Sequence, residues 1–392
     1  MRVLEPRGTL GLTIAAIGDI GLVGSARARA EREGWDAPFA PLRETLSAAD
    51  QAFANLEFPI GERAWVRPGR SEEFFQDAEV PAALARAGVR IVSLANNHMM
   101  DCGELGLLRT LEACRQSGLT PIGAGRDLAE ARTPARTVVR GQRVVWLGYG
   151  TASDDAAGVD RVGIAPLEAS LVAEDCARWR PEADLLVVSV HWGSMYVDYP
   201  PPRVTEAAEA IFAAGADLII GHHPHVLQGA QQRGAGLVLY SLGDAVFNCR
   251  AGDFHAQIAV EKRLESGVFT VLVASEAMGL EVTPTRLDDD GFPQLLAQRD
   301  RQAPLARLEA LGHGLADAAR SFASNSAPTL LQYELQSLGT YLRQGRWDRV
   351  FKLLGSVRPR HLPLLWAAVS ARGKRPAARE RLGHTKEEGD RG

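Results

Sequence analysis

The chain reads His222, His223, Pro224, His225 at one point, gathering three of its nine histidines into four positions. Imidazole is the commonest protein ligand for transition metals and exchanges protons near neutral pH, so the cluster offers metal binding or proton transfer. His223 and His225 flank a proline whose fixed φ stiffens the turn, which lets two ring nitrogens aim at one place. The apolar run at 218–220 reads as a buried strand that delivers these histidines at its C-terminal end. Loops at that end of an α/β sheet are where sites are built.

Four more polar clusters follow the same plan, each ending a predicted strand: Gly18-Asp19-Ile20-Gly21, Asn55-Leu56-Glu57, Asn96-Asn97-His98 with Asp101 beyond it, and His191-Trp192-Gly193. Five clusters at one sheet edge predict a concave polar site. Their mixture of carboxylate, amide oxygen and imidazole suits one or two borderline divalent ions, Mn²⁺, Fe²⁺ or Zn²⁺. Mg²⁺ favours more oxygen, and structural zinc more thiolate. Past His191, the side chains of Trp192, Met195, Tyr196 and Tyr199 form a candidate apolar wall for an organic substituent, with core packing as the alternative for one or two of them. Arg70 and Arg203 are candidate anion anchors, and Gly123 and Gly125 mark a tight turn rather than a phosphate loop.

Positioning these clusters requires a sheet. Short apolar runs at 12–17, 51–56, 91–94, 144–147, 185–190, 218–220 and 237–240 alternate with helical patterns at 81–87, 104–117 and 204–214. That alternation is the βαβ signature, and near-continuous apolar runs predict a parallel sheet buried on both faces. Residues 268–274 and 280–285 predict an antiparallel pair closing it. Beyond about residue 291, leucines at helical spacing in 304–322 and 328–354 predict a helical appendage, whose apolar positions in 330–354 could support a homodimer. The Arg-, Lys-, Glu- and Gly-rich tail at 371–392 is expected to be disordered.

Bulk properties exclude several classes. Apolar content of 46% and charged content of 23% are those of a globular protein, and a net charge of −4 gives no pull towards nucleic acid or a membrane surface. Cys102, Cys114, Cys176 and Cys249 are scattered, which excludes a zinc ribbon or disulfide scaffold and fits a reducing compartment. The apolar run at 10–17 is too short to span a membrane and ends in Gly18-Asp19, so it reads as the first core strand. A cytoplasmic protein is expected.

The series Gly-Asp, Asn-Leu-Glu, Asn-Asn-His, His-Trp-Gly, the run Gly-His-His-Pro-His-Val-Leu-Gln at 221–228 and Tyr-Ser-Leu-Gly at 240–243 resembles the CapA (PgsA) family of poly-γ-glutamate and capsule biosynthesis proteins, over residues 10–290. That family is similar in fold to the calcineurin-like metallophosphoesterases. The resemblance implies an α/β sandwich of mixed sheets flanked by helices at 1–290, with the helical appendage at 291–370 and the tail at 371–392. The metallophosphoesterase plan sets D-x-H, G-D-x-x-D, G-N-H-[DE], a lone His and G-H-x-H around two ions. Carried over, one ion would take Glu57, Asn97, His191 and His223. The other would take Asp19, Glu57 and His225 but lose a ligand, because Gly21 stands in place of the histidine of D-x-H. His222 is a candidate substitute, as ligand or catalytic group. The same plan makes His98 the group that protonates the leaving group, with Asp101 orienting it. Where the family has Gly-Asn-Phe, this chain has Gly243-Asp244-Ala245, so Asp244 is a candidate ligand, base or substrate contact.

Three functions follow from these residues and the resemblance. The first is a metal-dependent hydrolase of a phosphate, ester or amide bond, using metal-activated water with His98 as general acid/base on a small-molecule or peptide substrate. The second is an epimerase, in which a metal-polarised carbonyl acidifies the adjacent C–H. The third is a non-catalytic accessory protein of polyglutamate synthesis or export. Membrane-bound members carry an N-terminal anchor, and none is expected here.

Overall fold

In the computed structural model, which describes residues 2–71, 73–151, 155–247 and 260–327 with isolated positions between 329 and 347, the apolar runs build two sheets. In the first, Leu10–Gly21, Gln51–Leu56, Ile91–Ser93 and Thr120–Ile122 lie side by side and parallel. Glu265–Ala274 pairs antiparallel with the first half of Leu10–Gly21, and Gly279–Leu287 pairs antiparallel with it in turn, as expected for a closing pair. Asp244–Phe247 lies parallel to the other end of Leu10–Gly21, with Asp244 opposite Asp19. The second sheet runs in the order Ala230–Arg233, Gly236–Leu239, Leu218–His222, Leu185–His191, Gln142–Gly150 and Ala135–Val139. Its four middle strands are parallel and its two edges antiparallel.

The sheets pack face to face. Leu12, Ile14, Phe53 and Ile91 of the first meet Val144, Trp146, Val187, Leu218 and Ile220 of the second, and the Phe53 and Trp146 rings stack at 5.2 Å. Helices Gly24–Glu33, Glu79–Arg86 and Gly103–Gln116 cover the outer face of the first sheet. Ala169–Trp179 and Pro202–Ala213 cover that of the second. The single parallel sheet is therefore corrected to two. A strand buried between helix and sheet reads as the same apolar run as one buried between helices, so such runs cannot count sheets. The observed architecture is the mixed-sheet α/β sandwich that the resemblance implied.

Beyond residue 290, Pro293–Leu295 joins the first sheet. Helix Gln302–Gly314 then sets Leu305, Leu308 and Leu311 into the inter-sheet core. It contacts the edge strand Ala230–Arg233 and so shields part of an edge that would otherwise be open. The expected helix at 328–354, with its dimer-supporting positions, falls outside the described residues apart from the isolated positions, and the tail at 371–392 and Cys249 fall wholly outside. Among the described residues, no helix is long and apolar enough to cross a membrane.

Candidate metal centre

The predicted clusters meet where the C-terminal ends of parallel strands from both sheets converge. Asp19 lies inside the strand Leu10–Gly21 rather than after it. Its neighbour Gly18 must be glycine, because a Cβ there would sit 2.0 Å from the Gly243 carbonyl oxygen. That close approach lets the Asp19 N–H donate to the same oxygen at 2.9 Å, locking the Gly-Asp motif to the Leu-Gly-Asp motif. Asp19 Oδ1 accepts from Asn55 Nδ2 at 2.8 Å and lies 3.0 Å from His222 Nδ1, while Oδ2 accepts the His223 N–H at 3.1 Å.

Donor atoms of Asp19, Glu57 and His225 all lie within 4.8 Å of one another. His225 Nδ1 is 2.7 Å from Asp244 Oδ1 and its Nε2 is 3.5 Å from Glu57 Oε1. Assigned from this network, Nδ1–H donates to Asp244 and the Nε2 lone pair faces the centre, the tautomer that a carboxylate behind a metal-ligating histidine selects. The second oxygen of Asp244 lies 3.5 Å from the buried Arg263 guanidinium. A neighbouring group forms around His191, whose Nε2 is 2.8 Å from Asn97 Oδ1 and 3.1 Å from His223 Nδ1. The closest convergence of ionisable donors thus falls on the set that was expected to be poorer, while of the other set Asn97, His191 and His223 gather beside one another.

The turn carrying these rings is strained. His223 and His225 hold φ of 97° and 57°, a left-handed region that costs a non-glycine residue about 1–3 kcal/mol and that clusters at functional sites. Glu57 has no exposed surface, and among the described residues no donor reaches either of its oxygens. His191 Nδ1 and His222 Nε2 are likewise buried without partners. Orphaned buried acceptors of this kind are what a divalent ion would satisfy. The donor set fits.

Burial sets the charge of the centre. It would raise Asp19, but the hydrogen bond and charge of His222, with His191 and His225 nearby, hold that carboxyl below the usual range. Glu57 goes the other way, pushed well above its range by burial and then by the charges of Asp19 and Asp244. Burial, then the neighbouring His223, holds His191 well below 6.5, and burial with the charge of His225 brings His223 down to about 3. Both rings therefore stay neutral, with lone pairs available, through mildly acidic pH. A depressed folded-state pKa contributes stability above the unfolded value and loses it as pH falls. In metal-stripped protein, the urea midpoint should fall more steeply from about pH 6.5 towards 3 in wild type than in His223→Gln. Parallel curves would contradict a neutral His223.

Residues 13–249 match the family described as bacterial capsule synthesis protein PGA_cap. The chain belongs to that family. It is 31% identical over 246 residues to the capsule biosynthesis protein CapA of Bacillus anthracis, covering 60% of this chain and 60% of that one. It is 30% identical over 241 residues to the PGA biosynthesis protein CapA of Bacillus subtilis, covering 60% and 63%. A Mycobacterium tuberculosis relative named as a probable polyglutamine synthesis accessory protein is 28% identical over 267 residues, covering 64% and 70%. The chain thus spans about three-fifths of the length of its two Bacillus relatives.

In this PGA_cap chain the missing D-x-H histidine has a packing reason. A Cβ on Gly21 would lie 2.6 Å from Phe58 Cε2 and 2.7 Å from Phe247 Cε2, so two aromatic rings fill the space a ligand would need. Gly21→His should therefore fail to restore a ligand and should lower stability by about 1–3 kcal/mol through overpacking. A wild-type denaturation midpoint would show that the rings move aside.

His98 stands beside the centre, its Nε2 3.9 Å from Glu57 Oε1 and its Nδ1 2.7 Å from Asp101 Oδ2. Phe58 and Phe74 hold the ring at 4.9 and 5.2 Å. The residues expected to wall the site divide. The Tyr196 ring lies 6.1 Å from that of His225. Trp192 is buried, its indole N–H donating to Tyr240 O at 3.1 Å, and it borders a cleft of ≈ 330 Å³ with Leu167, Val172, Gly193, Arg203 and Val204. Tyr199 turns away from the centre, its N–H bonded to Ser326 Oγ and its ring against Gly314. Arg203 donates to Gly193 O at 3.0 Å from an exposed position. Asp244 has no exposed surface and gives one oxygen to His225. Reading the sequence missed Arg263 and Asp155, for which no motif gave a signal. It quoted Asn55 without seeing its grip on Asp19.

Proposed function

We propose that this PGA_cap protein is a metal-dependent hydrolase of a phosphate, ester or amide bond in a small-molecule or peptide substrate, acting in a reducing, cytoplasmic setting that its scattered cysteines fit. One observation carries the reading: Asp19, Glu57 and His225 bring donor atoms within 4.8 Å while the buried Glu57 carboxylate has no donor of its own. Asp19, Glu57 and His225, with His222 beside Asp19, would hold one ion; Asn97, His191 and His223, with Glu57, would hold the other. When bound, a divalent cation of the Mn, Fe or Zn type supplies Lewis acidity towards water and the scissile group. His98 supplies the proton. With Nδ1 engaged by Asp101, its Nε2 is the nitrogen left to exchange a proton with the leaving group. The Tyr196 ring, 6.1 Å from that of His225, is the surface proposed for the organic part of the substrate.

Purified protein is expected to carry transition metal, and His225→Ala, at the convergence that carries the reading, to lose both metal and turnover. Wild-type metal content in that variant would sink the reading. Incubating candidate peptides in deuterated water separates the chemistries, since α-deuterium without cleavage would assign epimerisation. A second reading, a non-catalytic accessory, is favoured by the mycobacterial relative named as a probable accessory protein. Capture of a ligase partner, with metal-site variants behaving as wild type, would select it.

A further inference from the structure

The segment that follows Ile60 folds over the turn carrying His98 and grips it at several points. Arg67 donates its backbone N–H to Asp101 O at 2.8 Å and its guanidinium to Met100 O at 3.1 Å. Arg70 Nε lies 3.1 Å from Asp101 Oδ1, the oxygen that His98 leaves open; the contact is an ion pair, since that buried oxygen has no hydrogen-bond partner among the described residues. Asp101 has no exposed surface, so its carboxylate is shared between His98 on one edge and Arg70 on the other. The other arm of Arg70, Nη2, donates to Asp155 Oδ2, and Asp155 Oδ1 takes Arg67 Nη1 at 2.6 Å. Asp155, some 85 positions along the chain from Arg70 and nearly buried, thus anchors both arginines.

This geometry does not suit Arg70 to the role of anion anchor for a substrate, since two of its three nitrogens are engaged by protein carboxylates. We propose instead that Arg70, anchored by Asp155, is a positioning residue for His98. It fixes the Asp101 carboxylate so that the latter accepts from His98 Nδ1–H. Nε2, on the side of Glu57, then remains the nitrogen free to exchange a proton. The planar guanidinium suits the task because its fixed fork can bridge two carboxylates at once, which a point-charge ammonium cannot do with the same geometry. The proposal rests on the reading of His98 as the proton-handling group, but its test does not need turnover.

The full chain, labelled with ¹⁵N in its histidine rings and stripped of metal, would be observed by NMR at mildly alkaline pH, with His98 assigned by its loss in His98→Gln. Wild type is expected to show two well-separated His98 ring signals, a protonated Nδ1 and an unprotonated Nε2. Arg70→Gln should lose that separation as the two tautomers exchange, and Asp155→Asn should move the signals in the same direction. Wild-type His98 signals in both variants would overturn the proposal, even if either variant were less stable to urea. If Arg70→Gln does not fold, Asp155→Asn decides alone. Because the measurement is made without metal, a failure of the hydrolase reading would show separately, as absent metal or turnover in the unstripped protein.

Discussion

Glu57→Gln is expected to change stability in opposite directions with and without metal. In metal-stripped protein the variant should be the more stable by about 1–3 kcal/mol, because it replaces one of two buried acceptors that no donor satisfies among the described residues with an N–H₂ donor and removes a carboxyl that burial and the charges of Asp19 and Asp244 disfavour in its ionised form. The pH trend carries the same sign. A carboxyl whose folded-state pKa is raised contributes stability below its unfolded value and loses it as the pH climbs. At neutral pH, then, wild-type Glu57 is a burden that the glutamine relieves. With a divalent ion in excess the order should reverse. Wild type gains the linkage energy of binding, about 2.7 kcal/mol at 100 times Kd. The variant should lose at least about 100-fold in affinity, since even partners behind a ligand are worth roughly 10–100-fold. Urea titrations of both proteins, with and without Mn²⁺, provide the check. A variant less stable than wild type in both states would mean that Glu57 serves the fold rather than an ion.

His98→Gln should separate chemistry from metal binding. His98 is not among the proposed ligands, and its Nε2 stands 3.9 Å from Glu57. The variant should therefore keep wild-type metal content. On any phosphate, ester or amide substrate that wild type turns over, the rate should fall by roughly 10²–10⁴, the usual contribution of a positioned general acid or base. Unchanged turnover would remove His98 from the mechanism, and lost metal would make it a ligand instead.

Much of this centre was legible in the sequence because most of its donors follow a short run of apolar residues. The runs before Asp19, Glu57, Asn97, His191 and His223 could be seen one at a time, and the Gly-His-His-Pro-His turn was distinctive by itself. What stayed hidden depends on how strands and side chains pair in space. Nothing local says that Leu10–Gly21 and Leu218–His222 belong to different sheets that meet face to face. Helix Gly24–Glu33 escaped notice because it buries only Ala26 and Ala30, too little apolar surface to mark a face. Asp244 could be flagged as a departure, but only its register opposite Asp19 and its 2.7 Å contact show that it backs His225. Arg70 reads from the sequence as a candidate anion anchor, and only the placement of Asp101 and Asp155 on either side of it shows that protein carboxylates occupy it.

Crystals soaked in Mn²⁺ and measured for anomalous scattering would test the central claim most directly. The account predicts a strong peak bounded by Asp19, Glu57 and His225, with a second beside Asn97, His191 and His223 if two ions bind. A map with no peak among these side chains, or with manganese bound only elsewhere on the protein, would contradict it.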